Sequence, residues 1–207
     1  MALKNRILQQ IINHPFVLNL GQNFLGANQY KVALYRSVFA GKSGTLLDFG
    51  CSYGNTTAGF LHFEYYGVDI VGQAIAAAKK RFKDFPHVHF ARVDILQQDY
   101  QRNFFDHVLF ASTSHHCSDA ACKSILDKLL LALKPGGELH FFDIIQKPDD
   151  RWTTKLLTRF DQGKHIRTRE QTEVIFKGYP VAEMKIFPSP DKLIKLWDFL
   201  YVKIVRP

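Results

Sequence analysis

The sequence is short of several things, and each shortage removes a class. No apolar run approaches the roughly 18 residues that a membrane-spanning helix needs, so no transmembrane segment is expected. The first residues, MALKNRILQQIINHP, carry charge without a sustained apolar stretch, which argues against a signal peptide. Cysteine is scarce and odd in number. Cys51, Cys117 and Cys122 show no paired spacing, so a disulfide framework is excluded and a reduced, cytoplasmic setting is the simplest expectation. Repeats and low-complexity tracts are absent. What remains is a chain of 207 residues with 46% hydrophobic and 22% charged side chains, enough to bury the core of one ordinary domain.

Acidic residues are missing from the first 47 positions, which hold five Lys or Arg. Residues 48–147 hold ten basic against eleven acidic side chains, and residues 148–207 hold twelve against eight. The net charge of +8 therefore sits at the two ends of the chain. Such a field favours an anionic substrate, a nucleic acid or an acidic membrane surface, and it serves solubility equally well.

The organisation is an alternation of strand and helix. Leu3, Ile7, Leu8, Ile11 and Ile12 recur at helical spacing before Pro15, and a second helical segment covers residues 29–39. TLLDFG reads as a strand that ends in a glycine-bearing turn at residues 50–54, with a helix expected over 55–61. Further strands are predicted over 64–69, 88–94, 105–111 and the ELHFFDI run, with helices over 74–82 and from Ser118 or Asp119 to Leu133. A helix over 168–178 precedes two late strands, 181–187 and 197–205, with no full helix between them. Alternation of this kind implies a doubly wound, mostly parallel sheet with helices on both faces, and the two late strands imply an antiparallel pair at one edge.

In such a sheet ligands sit beyond the carboxyl ends of the strands. Three successive strands end on aspartate: Asp48, Asp69 and Asp94. One strand-end carboxylate is often only a turn former, but three at one rim suit a nucleoside. Asp69 stands 21 residues after Asp48, where an acid binds ribose in dinucleotide folds, and Asp94 can accept from an adenine amino group. A carboxylate at Asp48 would repel a diphosphate, and Gly50 and Gly54 do not complete G-x-G-x-x-G. A cationic sulfonium nucleoside fits those charges better than a nicotinamide dinucleotide.

The stretches LLDFGCSYGNTT, GVDI, VDIL, FDHVLFASTSHH and LKPGGELHFFD, in this order over residues 45–145, resemble a class I S-adenosylmethionine-dependent methyltransferase of small-molecule type. The resemblance implies a Rossmann-like seven-stranded sheet whose last strand is antiparallel and inserted between the fifth and sixth. It also implies a helical N-terminal cap over residues 1–44 and a methyltransferase domain over 45–207. It assigns cofactor binding to Asp48, Gly50, Cys51 and Gly54 of the first motif, to Asp69 at the ribose with Ile70 beside the adenine, to Asp94 and Ile95 at the adenine edge, and to Ala111 facing the methionine moiety. Ser52 stands where the family most often has glycine.

Methyl transfer from a sulfonium needs a general base only when the acceptor carries a proton. His115 and His116, in the loop after the fourth strand, are the candidates, with an ordinary loop role as the alternative. His115, His116, Cys117 and Cys122 form a thiol–imidazole group, but Cys122 falls inside a helix, so no metal is expected there. Arg167 is a candidate for binding an acidic acceptor, or a structural ion-pair partner. Trp152, Lys155 and Arg159 offer a basic, amphipathic surface for a lipid or a peripheral membrane contact. The loop reads ASTSHH and not [DN]-P-P-[YFW], and no Pro-Cys nucleophile appears, which argues against the best-marked nucleic-acid methyltransferases. The expectation is transfer to a small organic acceptor, anionic or lipidic. The alternatives are an RNA-directed methyltransferase, a module that binds S-adenosylmethionine without transferring, and a nicotinamide oxidoreductase.

Overall fold

The computed structural model describes residues 27–98, 100–161, 163–190 and 196–207. The chain divides into two compact units, Met1–Ala40 and Gly41–Pro207. Of the first, helix α1 (Ala27–Val38) is described, with Leu34, Tyr35 and Phe39 buried. The helix expected around Leu3–Ile12, and most of the expected cap, lie outside the described residues.

The second unit is built on one sheet. Its strands are β1 (Thr45–Phe49), β2 (Glu64–Asp69), β3 (Val88–Arg92), β4 (Phe105–Ala111), β5 (Leu133–Ile144), β6 (Val181–Phe187) and β7 (Phe199–Val205). They lie in the order β3-β2-β1-β4-β5-β7-β6. Strands β1 to β5 pair in parallel, and β7 runs antiparallel between β5 and β6. The order reverses between β1 and β4, which opens a crevice at their carboxyl ends.

Among the described residues, four helices connect the strands: α2 (Gly72–Arg81), α3 (Asp119–Ala132), α4 (Trp152–Phe160) and α5 (Arg169–Phe176). In α3, Cys122, Ile125, Leu126, Leu129 and Ala132 recur at helical spacing and are all buried. They join Val108, Phe110, Leu139, Phe141, Leu200, Val202 and Phe176 in the principal core. The caps follow the sequence: Ser118 accepts from the Ala121 N–H, and Thr168 closes a capping box with Gln171.

One expected element is replaced. The helix predicted over 55–61 is a single 3₁₀ turn, Thr57–Gly59. Asn55, Thr56, Thr57 and Gly59 are poor helix formers, and the Thr57 hydroxyl donates to the Tyr65 hydroxyl at 2.9 Å. The crossover from β1 to β2 is thus a turn without an α-helix. A loss-of-packing test follows for the principal core. Leu126→Ala empties a fully buried site in α3 and should cost about 2–5 kcal/mol, read as a lower urea midpoint with unchanged slope.

Candidate active site

The turn after β1 is the first part of the site. Gly50 donates to the Val68 carbonyl at 2.8 Å and Gly54 to the Cys51 carbonyl at 2.9 Å. Gly50, Ser52 and Gly54 all have positive φ, at 81°, 49° and 68°. At Gly50 a Cβ would stand 2.2 Å from the Thr113 hydroxyl oxygen, so the turn can lie this close to the loop after β4 only with glycine there. Ser52 adopts the left-handed conformation that its position demands, and its N–H donates to Asp69 Oδ2 at 2.9 Å.

Asp69 closes β2 and ties two loops together. Its Oδ1 accepts from the Val71 N–H at 2.8 Å. Each carboxylate oxygen takes one backbone N–H and retains capacity for another donor. Directly after it, Ile70 and Val71 are both exposed. Two large apolar side chains open to solvent beside a strand-end carboxylate form the kind of surface on which a base can rest.

Asp94 caps its own turn. Its Oδ1 accepts from the Leu96 N–H at 3.0 Å, and its carbonyl accepts from Gln97 and Gln98. Ile95 differs from its expected place: its side chain is buried within the principal core. The apolar side chain exposed beside Asp94 is Leu96, which together with Val71 the sequence reading did not single out. Their exposure depends on how the loops leave the sheet, so periodicity carries no signal for it.

Asp48 and Cys51 lie beneath the turn rather than on its surface. Asp48 is buried and accepts from the Tyr65 hydroxyl at 2.6 Å. Burial pushes its carboxyl up to about 7, with the Tyr65 bond opposing and the Asp69 charge assisting. The full negative charge expected of it is therefore reduced near neutrality. Burial, with Asp48 and Asp69 nearby, also drives the Cys51 thiol far above its ordinary value, so it packs as a neutral group. A Cβ at Gly67 would meet the Cys51 sulfur at 2.9 Å and Phe90 at 2.7 Å. No α-helix N-terminus follows the glycine turn, so the phosphate cradle of dinucleotide folds is missing.

The loop after β4 is the second part. Ala111 ends the strand, and its carbonyl accepts from the Thr113 hydroxyl. A 3₁₀ turn over Ser114–His116 follows. Asp143, buried near the end of β5, collects this turn. It accepts from the Ser114 hydroxyl, from the His115 N–H at 2.9 Å and from the Ile144 N–H at 2.8 Å. His115 Nδ1 lies 2.6 Å from Asp143 Oδ1. Burial alone would raise the Asp143 pKa, but His115 and the hydrogen bonds hold it below the usual carboxylate value. Since an ionised carboxylate only accepts, Nδ1 carries the proton in this bond. His115 Nε2 is 3.7 Å from Asp161 Oδ1.

His116 is exposed, and its ring centroid is 4.2 Å from that of His115. Partial desolvation and His115 hold its pKa below the ordinary imidazole value, while Asp161, Asp143 and Asp69 pull it the other way. Asp69 is thus among the carboxylates whose charge acts on His116, whereas His115 is hydrogen-bonded to Asp143.

Arg167 is buried, and its guanidinium is directed into this loop. It donates to Asp119 Oδ1 at 2.9 Å, to the Ser114 carbonyl at 3.0 Å and to the Cys117 carbonyl at 2.6 Å. Its backbone bridges to Ile145 beyond β5. Of the two expectations for Arg167, the placement matches the structural ion pair and not contact with an acceptor. Cys122 is buried in the principal core and the Cys117 thiol faces the Thr113 carbonyl, so the two do not converge with the histidines.

The buried Asp48 carries a pH signature. Its folded pKa, about 7, exceeds the ordinary 3.8, so the folded state holds this proton more tightly than the unfolded one. The stabilisation is complete below pH 4 and is lost as pH rises through 7. Asp48→Asn, which keeps an acceptor for Tyr65 without the charge, should gain on the parent protein by a few kcal/mol between pH 4 and pH 8, measured by urea unfolding at both. A constant difference would show that Asp48 is ionised throughout.

Comparison with known proteins agrees with this architecture. A family model described as a methyltransferase domain matches residues 47–139. Nodulation protein S of Sinorhizobium fredii (strain NBRC 101917 / NGR234) is 26% identical over 136 residues, 64% of this chain and 62% of that protein. The chain thus spans about three fifths of the length of that curated relative. Among solved structures, the N-methyltransferase NodS from Bradyrhizobium japonicum WM9 in complex with S-adenosyl-L-homocysteine is 20% identical. It covers 96% of this chain and 91% of its own, with a TM-score of 0.63. The [4+2]-cyclase SpnF is 18% identical, covering 87% and 82%, with a TM-score of 0.68. The strand order and the family match over residues 47–139 thus agree, and the chain shares the fold of these methyltransferase structures.

Proposed function

We propose that the protein transfers a methyl group from S-adenosylmethionine to a nitrogen or oxygen of a small organic acceptor, with His116 taking the acceptor's proton. The observation that carries this reading is the histidine pair after β4: His116 exposed beside the carboxyl rim, and His115 hydrogen-bonded to Asp143. When bound, the cofactor supplies an already activated methyl group, so the protein's part is to orient the acceptor, exclude water and receive a proton. Asp69 holds the ribose hydroxyls while its existing hydrogen bonds keep the β1 turn in place. Asp94 meets the adenine edge, and Ile70, Val71 and Leu96 lie against the base. Gly50, Gly54 and the Cys51 backbone let the chain approach closely, and Ala111 borders the methionine moiety.

His116 has the properties of a proton acceptor at neutral pH, since its lowered pKa leaves the ring neutral there. His115 and Asp143 act as positioning residues: the carboxylate fixes the tautomer and orientation of His115, against which His116 packs. Asp161, whose carboxylate also accepts from the Gly163 N–H at 2.6 Å, completes an acidic surround. With Asp69, Asp143 and Asp161 around the histidines and Arg167 directed into the protein, the charge favours a neutral or cationic acceptor over an anionic one. An amine suits it, which accords with the N-methyltransferase named among the fold's neighbours. No described helix is long and apolar enough to cross a membrane, and a cytoplasmic site of action is part of this proposal.

A second reading has its own observation. Helix α4 exposes Trp152, 75% open, and Leu156 on the same side as Lys155 and Arg159. An apolar face edged with basic residues suits an acceptor presented at a lipid surface. Incubation with isotopically labelled donor, separately with a pool of soluble amines and with lipid vesicles, followed by mass spectrometry, distinguishes the two. Labelled product in neither case would leave the protein a binding module.

Two variants test the assigned roles. Asp69→Ala should weaken binding of S-adenosylhomocysteine at least tenfold by calorimetry while the circular dichroism spectrum stays that of the parent. Unchanged affinity would remove Asp69 from the ribose. His116→Ala should leave that affinity nearly intact and lower turnover by about 100-fold or more. The acid limb of the parent's rate profile should fall below the ordinary imidazole range, because the His116 pKa is lowered. An undiminished rate in the variant would exclude His116 as the proton acceptor.

A further inference from the structure

A second convergence of titratable side chains lies towards the other end of the strands. His107 of β4 and Glu138 of β5 are register partners, and His140 stands two residues beyond Glu138. Alternation along a strand therefore puts all three on one face of the sheet. Their nearest donor atoms lie within 4.8 Å of one another. His107 Nδ1 is 3.5 Å and His140 Nε2 is 3.3 Å from Glu138 Oε2. Bonds of about 2.0–2.2 Å to a tetrahedral ion separate its ligand atoms by roughly 3.4 Å, so little movement would be needed to close these three around one.

We propose that His107 Nδ1, Glu138 and His140 Nε2 form a site for a divalent transition metal, with zinc as the ion it suits best. Two imidazoles and a carboxylate are a recognised zinc donor set that leaves a fourth position for water. The rings are braced as metal ligands are. His140 Nδ1 lies 3.0 Å from the Tyr201 hydroxyl, and His107 has a backbone hydrogen bond at Ser43. The position already attracts cations: Lys42 Nζ is 2.6 Å from Glu138 Oε2, and Lys203 Nζ is 3.7 Å from Oε1. Lys42 comes from the partly exposed segment before β1 and can swing into solvent. The metal and the Lys42 ammonium are then alternative occupants of the same carboxylate oxygen. The ion would clamp the amino-terminal part of β4 to the middle of β5, away from the rim assigned to the nucleoside. This group is separate from His115, His116, Cys117 and Cys122 in the loop after β4.

The test uses the full chain, stripped with chelator and dialysed. Zinc should bind with one-to-one stoichiometry by calorimetry and raise the melting temperature. Cobalt should give the intense visible bands of tetrahedral coordination without thiolate charge transfer. Glu138→Gln and His107→Gln should each weaken binding at least tenfold, and Lys42→Met should tighten it. If either polar variant fails to fold, the other and Lys42→Met still decide. Absence of saturable zinc binding in the parent, thiolate charge-transfer bands with cobalt, or affinity unmoved by the substitutions that fold would overturn the proposal.

Discussion

The carboxylate of Asp69 holds the candidate site together. Gly50 and Gly54 take positive φ freely, but Ser52 at φ 49° persists there only because its surroundings fix it. Here the Ser52 N–H is tied to Asp69, and the same carboxylate caps the entry to the segment before α2. The turn after β1 and the loop after β2 are therefore set by one side chain. Gly50 is brought against Thr113, so the loop after β4 is placed relative to that turn. The ends of three neighbouring parallel strands become one rim.

The histidine loop depends on two buried charges. Asp143 draws in Ser114 and His115 from below, and Arg167 gathers the carbonyls of Ser114 and Cys117 with the Asp119 carboxylate at the start of α3. Each charge is satisfied by several hydrogen bonds, as burial requires. The two residues hold a short 3₁₀ turn in a geometry that its own sequence would not maintain. Arg167 thus bears on the proposed chemistry through the shape of the loop, with no contact to an acceptor needed.

Much of the fold was legible because its signals are local. The limits of β2, β4 and β6 follow from runs of apolar and β-branched residues with turn residues at each end. Helices α3 and α5 announce themselves by Ser118 and Thr168 caps. The segment after Gly54 misled for a physical reason. Strand–turn–helix is the usual continuation in an α/β fold, yet threonines and a glycine in that short segment yield only a turn. In the site, Asp69 and Asp94 could be picked out because strand ends are readable, and so could the histidines that follow β4. Ile95 could not be separated from Leu96, because which of two adjacent apolar residues faces the core depends on the path of a loop.

By itself the sequence determined the alternation of elements, the family pattern and the set of carboxylates at strand ends, all properties of neighbouring residues and their order. What those side chains meet is set by contacts between distant parts of the chain. Asp143 is 28 positions from His115, Arg167 is 53 from Ser114, and His107 faces Glu138 across a strand pairing. Tertiary structure also buries Asp48 against Tyr65, which shifts its charge. Register and burial arise from packing the whole sheet, and a carboxylate's ionisation follows from that environment rather than from its place in the chain.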